Sequence, residues 1–131
     1  MVVVSLSIPQ ELVADLDSFA REAGFASRSE TIRYAIRDFL AQSAMEFKLT
    51  GRVIATLTLI YDKLAEKQSL SKLEHKYEGL IKTLLHIHLD DRNCLEVMVL
   101  EGAGKEIIEL VKKLRSLKGM KQAKLSTTAP T

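Results

Sequence analysis

A short strand pattern opens the chain, and the two segments that follow it have helix patterns rather than strand patterns. Residues 2–8 alternate between two faces. The apolar face carries Val2, Val4, Leu6 and Ile8, and the other face carries Val3, Ser5 and Ser7. A lone strand has no hydrogen-bonding partner, and so short a unit rarely buries a sufficient core. We therefore expect two chains to pair these strands as an antiparallel ribbon, which can enter the DNA major groove.

Two helices are predicted to follow the strand. Pro9 suits the first helical turn, and Gly24 suits the end of the first helix, after apolar residues at helical spacing. The sequence Ser27-Arg28-Ser29-Glu30 is a capping-box pattern, with a hydroxyl at the N-cap and a glutamate three residues later. It predicts that the second helix begins here, and that residues 1–45 form one domain.

From Arg52 onward, strand and helix patterns alternate in a different order. Strands are predicted over residues 53–61, 81–89, 94–100 and 120–125. Helices are predicted over residues 63–78 and after the glycine pair at 102 and 104. The order β-α-β-β-α-β is that of the ferredoxin-like split βαβ arrangement. The fold class is therefore α+β, with a second domain over residues 52–126.

Composition and charge exclude several classes of protein. Apolar residues make up 47% of the 131 residues and charged residues 27%, which is typical of globular domains. No apolar run reaches the length of a membrane span, and the apolar start lacks the basic region of a signal peptide. A single cysteine cannot form an internal disulfide, which suits the cytoplasm. The net charge of +2 is divided unevenly: residues 1–43 carry −2 and the rest carry +4.

All three histidines and the only cysteine lie in one 20-residue stretch: His75, His86, His88 and Cys94. Imidazole and thiolate bind borderline-soft divalent metals, and four such groups fill a four-coordinate shell. A closed shell leaves no position for a reacting water, so sensing or structural support is favoured over catalysis. No phosphate-binding loop or nucleophile–base pair accompanies the cluster, and we therefore expect a protein that is not an enzyme.

Strand alternation predicts how three of these groups meet. His86 and His88 share one face of their strand. A hairpin centred near Asp91 places Cys94 opposite His88 and Glu96 opposite His86. Glu96 and Asn93 are candidates for orienting the imidazole or thiolate groups.

The fourth candidate ligand points elsewhere. His75 is two residues, or about 200° of helical rotation, from Leu73 in the apolar stripe of its helix. It should therefore face away from its own sheet, and the hairpin of a neighbouring subunit is its expected partner.

The ligands alone do not select the metal, because Cu(II) and Zn(II) bind the same groups. A small-molecule sensor is a further alternative, but it would leave the histidines and the cysteine unexplained.

Several motifs together resemble the NikR family of nickel-responsive transcriptional regulators. The helical motifs are Arg28-Ser29-Glu30 and Ile32-Arg33. The hairpin motifs are His86-Ile87-His88 and Cys94-Leu95-Glu96, with His75 eleven residues before His86. The resemblance covers nearly the whole chain. It implies a ribbon-helix-helix domain followed by an ACT-like domain, in a homotetramer built as a dimer of dimers.

The resemblance also implies the ligands and partners. Square-planar Ni(II) would be bound by His86, His88 and Cys94 of one subunit and by His75 of another. Nickel would favour binding to a double-stranded DNA operator and would repress nickel uptake genes. Bases would be read by Val3, Ser5 and Ser7. Phosphates would be contacted by Arg28, Ser29 and Arg33.

The chain departs from the family pattern at three places. Tyr34 stands where an acidic residue often joins Glu30 in holding a second, weaker cation, so that site is in doubt. Lys63 stands where histidine is common, which argues against an auxiliary soft-metal site. Gln122-Ala123 replaces a common His-Gly pair.

Overall fold

The computed structural model describes residues 1–43, 49–65 and 67–128. The chain divides into two compact units, Met1–Ala44 and Met45–Thr131. None of the described helices is both long enough and apolar enough to cross a membrane.

The N-terminal unit contains two helices, α1 (Gln10–Ala23) and α2 (Arg28–Ser43). Residues 1–9 form no helix or strand, and apolar side chains of the predicted strand are exposed, including Val4 and Leu6. A strand requires a hydrogen-bonding partner, and residues 2–8 find none among the described residues of the single chain. The predicted strand is thus absent from the single chain, and pairing between two chains remains a prediction.

The helix ends are those predicted. Gly24 ends α1 in the left-handed conformation, at φ +83°, and the Phe25 N–H donates to the Ala20 carbonyl at 3.0 Å. Ser27 begins α2 as its N-cap, because its Oγ accepts a hydrogen bond from the Glu30 N–H at 3.1 Å. These local contacts confirm the predicted turn between the helices.

The described residues of the C-terminal unit form a four-stranded sheet with two helices. Its elements are β1 (Arg52–Asp62), α3 (Lys67–Lys76), β2 (Ile81–His88), β3 (Asn93–Ala103), α4 (Gly104–Arg115) and β4 (Met120–Thr128). The strand order is β2-β3-β1-β4, and all three neighbouring pairs are antiparallel. This arrangement confirms the predicted β-α-β-β-α-β order and the α+β class.

Several element boundaries differ from the prediction, and β4 reaches Thr128 instead of residue 125. The predicted helix 63–78 is shorter as α3, because Asp62 holds a turn: its Oδ1 accepts from the Leu64 N–H at 2.8 Å. Strand β3 is longer than predicted and reaches Ala103, because the ladder with β1 continues to the pair Arg52 and Ala103. Long-range pairing therefore sets both limits of β3.

The core lies between one face of the sheet and the two helices. Fully buried side chains from the strands and from α4 form its centre: Leu57, Leu59, Met98, Leu100, Ile107, Leu110 and Leu114. The opposite face of the sheet also carries apolar side chains, and these are exposed in the single chain. Leu85 is 59% exposed, and Ile87 is 42% exposed. An exposed apolar sheet face is typical of a surface that another subunit covers.

Candidate metal centre

The hairpin of β2 and β3 brings three of the four predicted ligands together through a hydrogen-bonded turn. Asp90 Oδ1 accepts hydrogen bonds from the backbone N–H groups of Arg92 and Asn93, both at 2.8 Å. These bonds, led by that from Arg92, hold the pKa of Asp90 below its ordinary value. In the resulting register His88 lies opposite Cys94, and His86 lies opposite Glu96 (Cα partners). The predicted hairpin register is confirmed.

Three potential ligand atoms converge on the helix-covered side of this hairpin. One side-chain atom from each of His86, His88 and Cys94 lies within 4.8 Å of the other two. The Cys94 Sγ is 3.4 Å from the His88 Nδ1. An ion that binds both atoms would lie about 2.3 Å from the sulfur and about 2.0 Å from the nitrogen. The sulfur and nitrogen would then be about 3.0 Å apart if the angle at the ion is a right angle, and about 3.5 Å apart if that angle is tetrahedral. The observed distance fits one ion bound by both atoms.

The cluster is open on one side and closed on the other. Cys94 is buried, whereas His86 and His88 are exposed on β2, which is an edge strand of the sheet. The histidines therefore give an ion access from solvent, and the sulfur provides a buried end to the site. The two imidazole rings meet edge to face, with centroids 5.2 Å apart.

Glu96 lies directly behind His86. Its side chain is only 4% exposed, and its Oε1 is 3.6 Å from the His86 Nδ1. The same oxygen accepts a hydrogen bond of 2.7 Å from the hydroxyl of Tyr61 on β1. Burial and the bond to Glu96 raise the pKa of Tyr61, so its hydroxyl remains a donor at all ordinary pH values. Glu96 therefore lies beside His86, at the position from which the sequence predicts that it orients this imidazole.

Glu74 approaches Glu96 from helix α3. Burial, the hydrogen-bonding contact with Glu96 and the charge of Glu96 raise the pKa of Glu74 to about 8. Sequence reasoning missed both Glu74 and Tyr61. Neither has a local signal, because Tyr61 and Glu96 are 35 residues apart and meet only through the pairing of β1 with β3.

The remaining predicted residues of this unit lie outside the three-residue cluster. His75 is 83% exposed, and its Nδ1 is 3.4 Å from the Glu78 carboxylate. It points away from the core, as its helical position predicted. The Asn93 amide donates to Asp90 at 3.1 Å and accepts from Lys121 Nζ at 2.5 Å. Asn93 thus supports the turn, and the contacts of its side-chain amide are with Asp90 and Lys121.

The predicted DNA-contact residues lie on the N-terminal unit. Val3, Ser5, Ser7 and Ser29 are all exposed. The two arginines each form an ion pair within the unit: Arg28 with Asp17 at 2.7 Å, and Arg33 with Glu30 at 2.6 Å. Glu30, the candidate for a weak cation site, is therefore already paired. Tyr34 packs against Phe25, with ring centroids 5.1 Å apart, so it adds an aromatic contact where a carboxylate would bind a cation.

Comparison with known proteins identifies both units. Residues 54–128 match the NikR C terminal nickel binding domain, and residues 2–43 match the ribbon-helix-helix proteins of the copG family. The chain belongs to the NikR family. This family consists of transcriptional regulators, not of enzymes, and the assignment confirms the resemblance drawn from the sequence motifs.

Relatives of similar length support the assignment. A protein of Methanocella arvoryzae named "Putative nickel-responsive regulator" is 38% identical over 129 residues, which cover 97% of this chain and 92% of the relative. A protein of the same name from Methanococcus maripaludis is 41% identical over the same shares. A solved structure of an uncharacterised Thermotoga maritima protein covers 60% of this chain and 100% of its own, with a TM-score of 0.56 and 17% identity. That similarity concerns the fold alone.

Proposed function

We propose that this NikR-family chain is a nickel-responsive, DNA-binding repressor of nickel uptake genes, in which Ni(II) promotes operator binding. The observation that carries the proposal is the convergence of His86, His88 and Cys94 within 4.8 Å on one hairpin of a nickel-binding domain. The proposed domains are residues 1–45 for DNA binding and residues 52–126 for metal binding and tetramerisation. Such a regulator works where the DNA is, in the cytoplasm.

The proposed metal centre is shared between subunits. Three ligands from one hairpin leave one position of a square-planar shell open, and imidazole is a suitable fourth ligand. His75 is the only other histidine of the chain, and its exposed side chain is available to a neighbour. Nickel would thus link the hairpin of one subunit to helix α3 of another.

Such a link can control DNA binding because the DNA-reading unit binds phosphate poorly by itself. Residues 1–43 carry a net charge of −2, and nonspecific DNA affinity comes mainly from cations on phosphates. The ribbons therefore have to be presented to the operator at a suitable spacing. Nickel that favours this arrangement by about 1–3 kcal/mol would change operator affinity by about 5–150-fold.

The decisive experiment measures DNA affinity with and without nickel. Nickel-loaded protein is used to select a binding site from a pool of random-sequence duplex DNA, and the selected duplex is then titrated under both conditions. We expect at least 5-fold tighter binding with nickel in the wild type and no nickel effect in Cys94→Ala. Failure to enrich any duplex, or equal affinities with and without nickel, would overturn the proposal.

The proposed assembly is a homotetramer in which two chains pair through residues 2–8 and the C-terminal units form the centre. Its support is the exposed apolar side chains of both units, such as Leu6 and Leu85. We expect wild-type protein to sediment as a tetramer and Leu85→Lys to sediment as smaller species. Leu64→Lys, which removes an exposed apolar side chain from the turn after β1, is the control.

A second candidate is a regulator that responds to another divalent metal. The Sγ–Nδ1 distance of 3.4 Å is closer to the value of about 3.5 Å for a tetrahedral angle than to that of about 3.0 Å for a right angle, which favours tetrahedral Zn(II). Parallel titrations with nickel and zinc, followed by DNA affinity measurements, separate the two candidates. Stronger stimulation of DNA binding by zinc would favour the second.

A further inference from the structure

A groove between helices α3 and α4 is lined by positive side chains and by no negative one. Its volume is about 320 Å³, and its lysines are Lys72 and Lys76 on α3 and Lys113 on α4. The side chains of Ser69 and Ser116 lie beside them, and none of the described residues that line the groove is acidic. The candidate metal ligands are not among these lining residues, so the groove is a separate surface of the C-terminal unit.

A buried tyrosine holds two of these lysines in place. Lys113 Nζ donates a hydrogen bond of 3.0 Å to the Tyr77 hydroxyl, and the Nζ atoms of Lys76 and Lys113 each lie 5.4 Å from the centroid of the Tyr77 ring. Glu109 pairs with Lys113 at 3.1 Å, but its side chain is 54% exposed and does not line the groove. Two cations held at one ring repel each other, and an anion that contacts both would offset this repulsion.

The distribution of charge over the chain indicates which anion fits the groove. Residues 1–43 carry a net charge of −2, whereas the rest of the chain carries +4. DNA affinity that does not depend on sequence comes mainly from lysine and arginine side chains on phosphates. In this regulator the excess of cations therefore lies outside the part that matches the ribbon-helix-helix proteins.

We propose that the lysine groove, formed by Lys72, Lys76 and Lys113, contacts the backbone phosphates of duplex DNA. The inference rests on the proposed function, because the proposed repressor has to bind duplex DNA. The ammonium groups pair with phosphate oxygens, and the hydroxyls of Ser69 and Ser116 can donate hydrogen bonds to the same oxygens. Such contacts read no bases, so the groove adds affinity for the operator and for other duplexes alike.

The test measures how DNA affinity depends on salt. Nickel-loaded, full-length protein is titrated with its selected duplex and with a scrambled duplex of the same length, each over a series of salt concentrations. The slope of log affinity against log salt concentration becomes shallower by about 0.9 for each phosphate contact that is lost. We therefore expect a change of about 1.8 in the double variant Lys72→Gln/Lys113→Gln, equal for both duplexes. Lys76 is left in place because it adjoins the proposed ligand His75.

Two control variants separate charge from packing. Lys72→Arg/Lys113→Arg keeps both positive charges and should keep the wild-type slope. Lys105→Gln removes an exposed lysine of α4 that does not line the groove, and it should also keep that slope. Nickel affinity, measured on the same samples, should equal that of the wild type in all three variants.

Three results would overturn the inference. The first is a wild-type slope in Lys72→Gln/Lys113→Gln; if this variant also loses saturable binding of inorganic phosphate, the groove binds a small anion instead. The second is a slope equally shallow in Lys105→Gln, and the third is weaker binding of the selected duplex alone. In each case, nickel-stimulated DNA binding by the wild type keeps the proposed function standing. A wild type that enriches no duplex overturns both proposals.

Discussion

Cys94 and His88 face each other across the ladder of β2 and β3, with the Cys94 Sγ 3.4 Å from the His88 Nδ1. Both residues lie on strands, so the backbone hydrogen bonds of the sheet hold their separation before any ion arrives. Groups that are already close need little rearrangement to bind a metal. The Cys94 sulfur is buried and the His88 imidazole is exposed, so the site is accessible to solvent on the histidine side only.

Removal of either member of this pair should abolish the nickel site. An orienting residue contributes up to about 100-fold in metal affinity. We expect Cys94→Ser and His88→Ala each to lower nickel affinity by more than that, because each substitution removes a ligand. The sulfur-to-nickel charge-transfer absorption should disappear in Cys94→Ser. Thr83→Ala, an exposed substitution on the same strand, should leave both properties unchanged. Wild-type nickel binding by Cys94→Ser would contradict the ligand assignment.

The hydroxyl of Tyr61 should stabilise the C-terminal unit through Glu96. Tyr61→Phe removes the 2.7 Å donor of a buried carboxylate, and we expect a loss of about 1.5–3 kcal/mol in the free energy of unfolding, measured with urea. Tyr77→Phe is the matched control, since its hydroxyl meets the partly exposed Lys113 at 3.0 Å. We expect that substitution to cost less than about 1 kcal/mol. Equal losses in the two variants would argue against a special role for Tyr61.

Two serines in the turn before α2 should have separable effects. Ser27→Ala removes the N-cap acceptor of the Glu30 N–H and should lower the free energy of unfolding by about 1 kcal/mol. Ser29→Ala lies at the exposed start of the helix and should change that free energy by less than about 0.5 kcal/mol. If Ser29 contacts a phosphate, Ser29→Ala should weaken DNA binding without lowering the free energy of unfolding. Ser27→Ala should lower that free energy. Loss of stability in Ser29→Ala would refute this division.

The ion pair of Asp17 and Arg28 gives the N-terminal unit an acid-sensitive contact. The hydrogen bond from Arg28 lowers the pKa of Asp17 from its ordinary value of 3.8. Because the folded pKa is the lower one, the contribution to stability is present above pH 3.8 and is lost as the pH falls through the folded pKa. NMR titration of the Asp17 carboxyl should give a midpoint below 3.8 in wild type and near 3.8 in Arg28→Ala. A midpoint in Arg28→Ala equal to that of the wild type would show that the ion pair with Arg28 does not cause the lowered pKa of Asp17.

The sequence by itself determined the features that depend on near neighbours. The end of α1 at Gly24 and the start of α2 at Ser27 follow from local backbone and capping preferences. The hairpin that faces His88 with Cys94 follows from strand alternation and one short turn. Each needs only residues within a few positions, so the pattern of the chain was sufficient.

Only the tertiary structure decided which distant side chains support that hairpin. Tyr61 reaches Glu96 because β1 pairs with β3, and Glu74 reaches it because α3 packs over the sheet. Burial then decides their chemistry, since it raises the pKa values of both groups. The spacing of residues along a single helix or strand does not predict such contacts. For the same reason residues 2–8 have a strand pattern and no strand in the single chain, because a strand exists only when its backbone finds a partner.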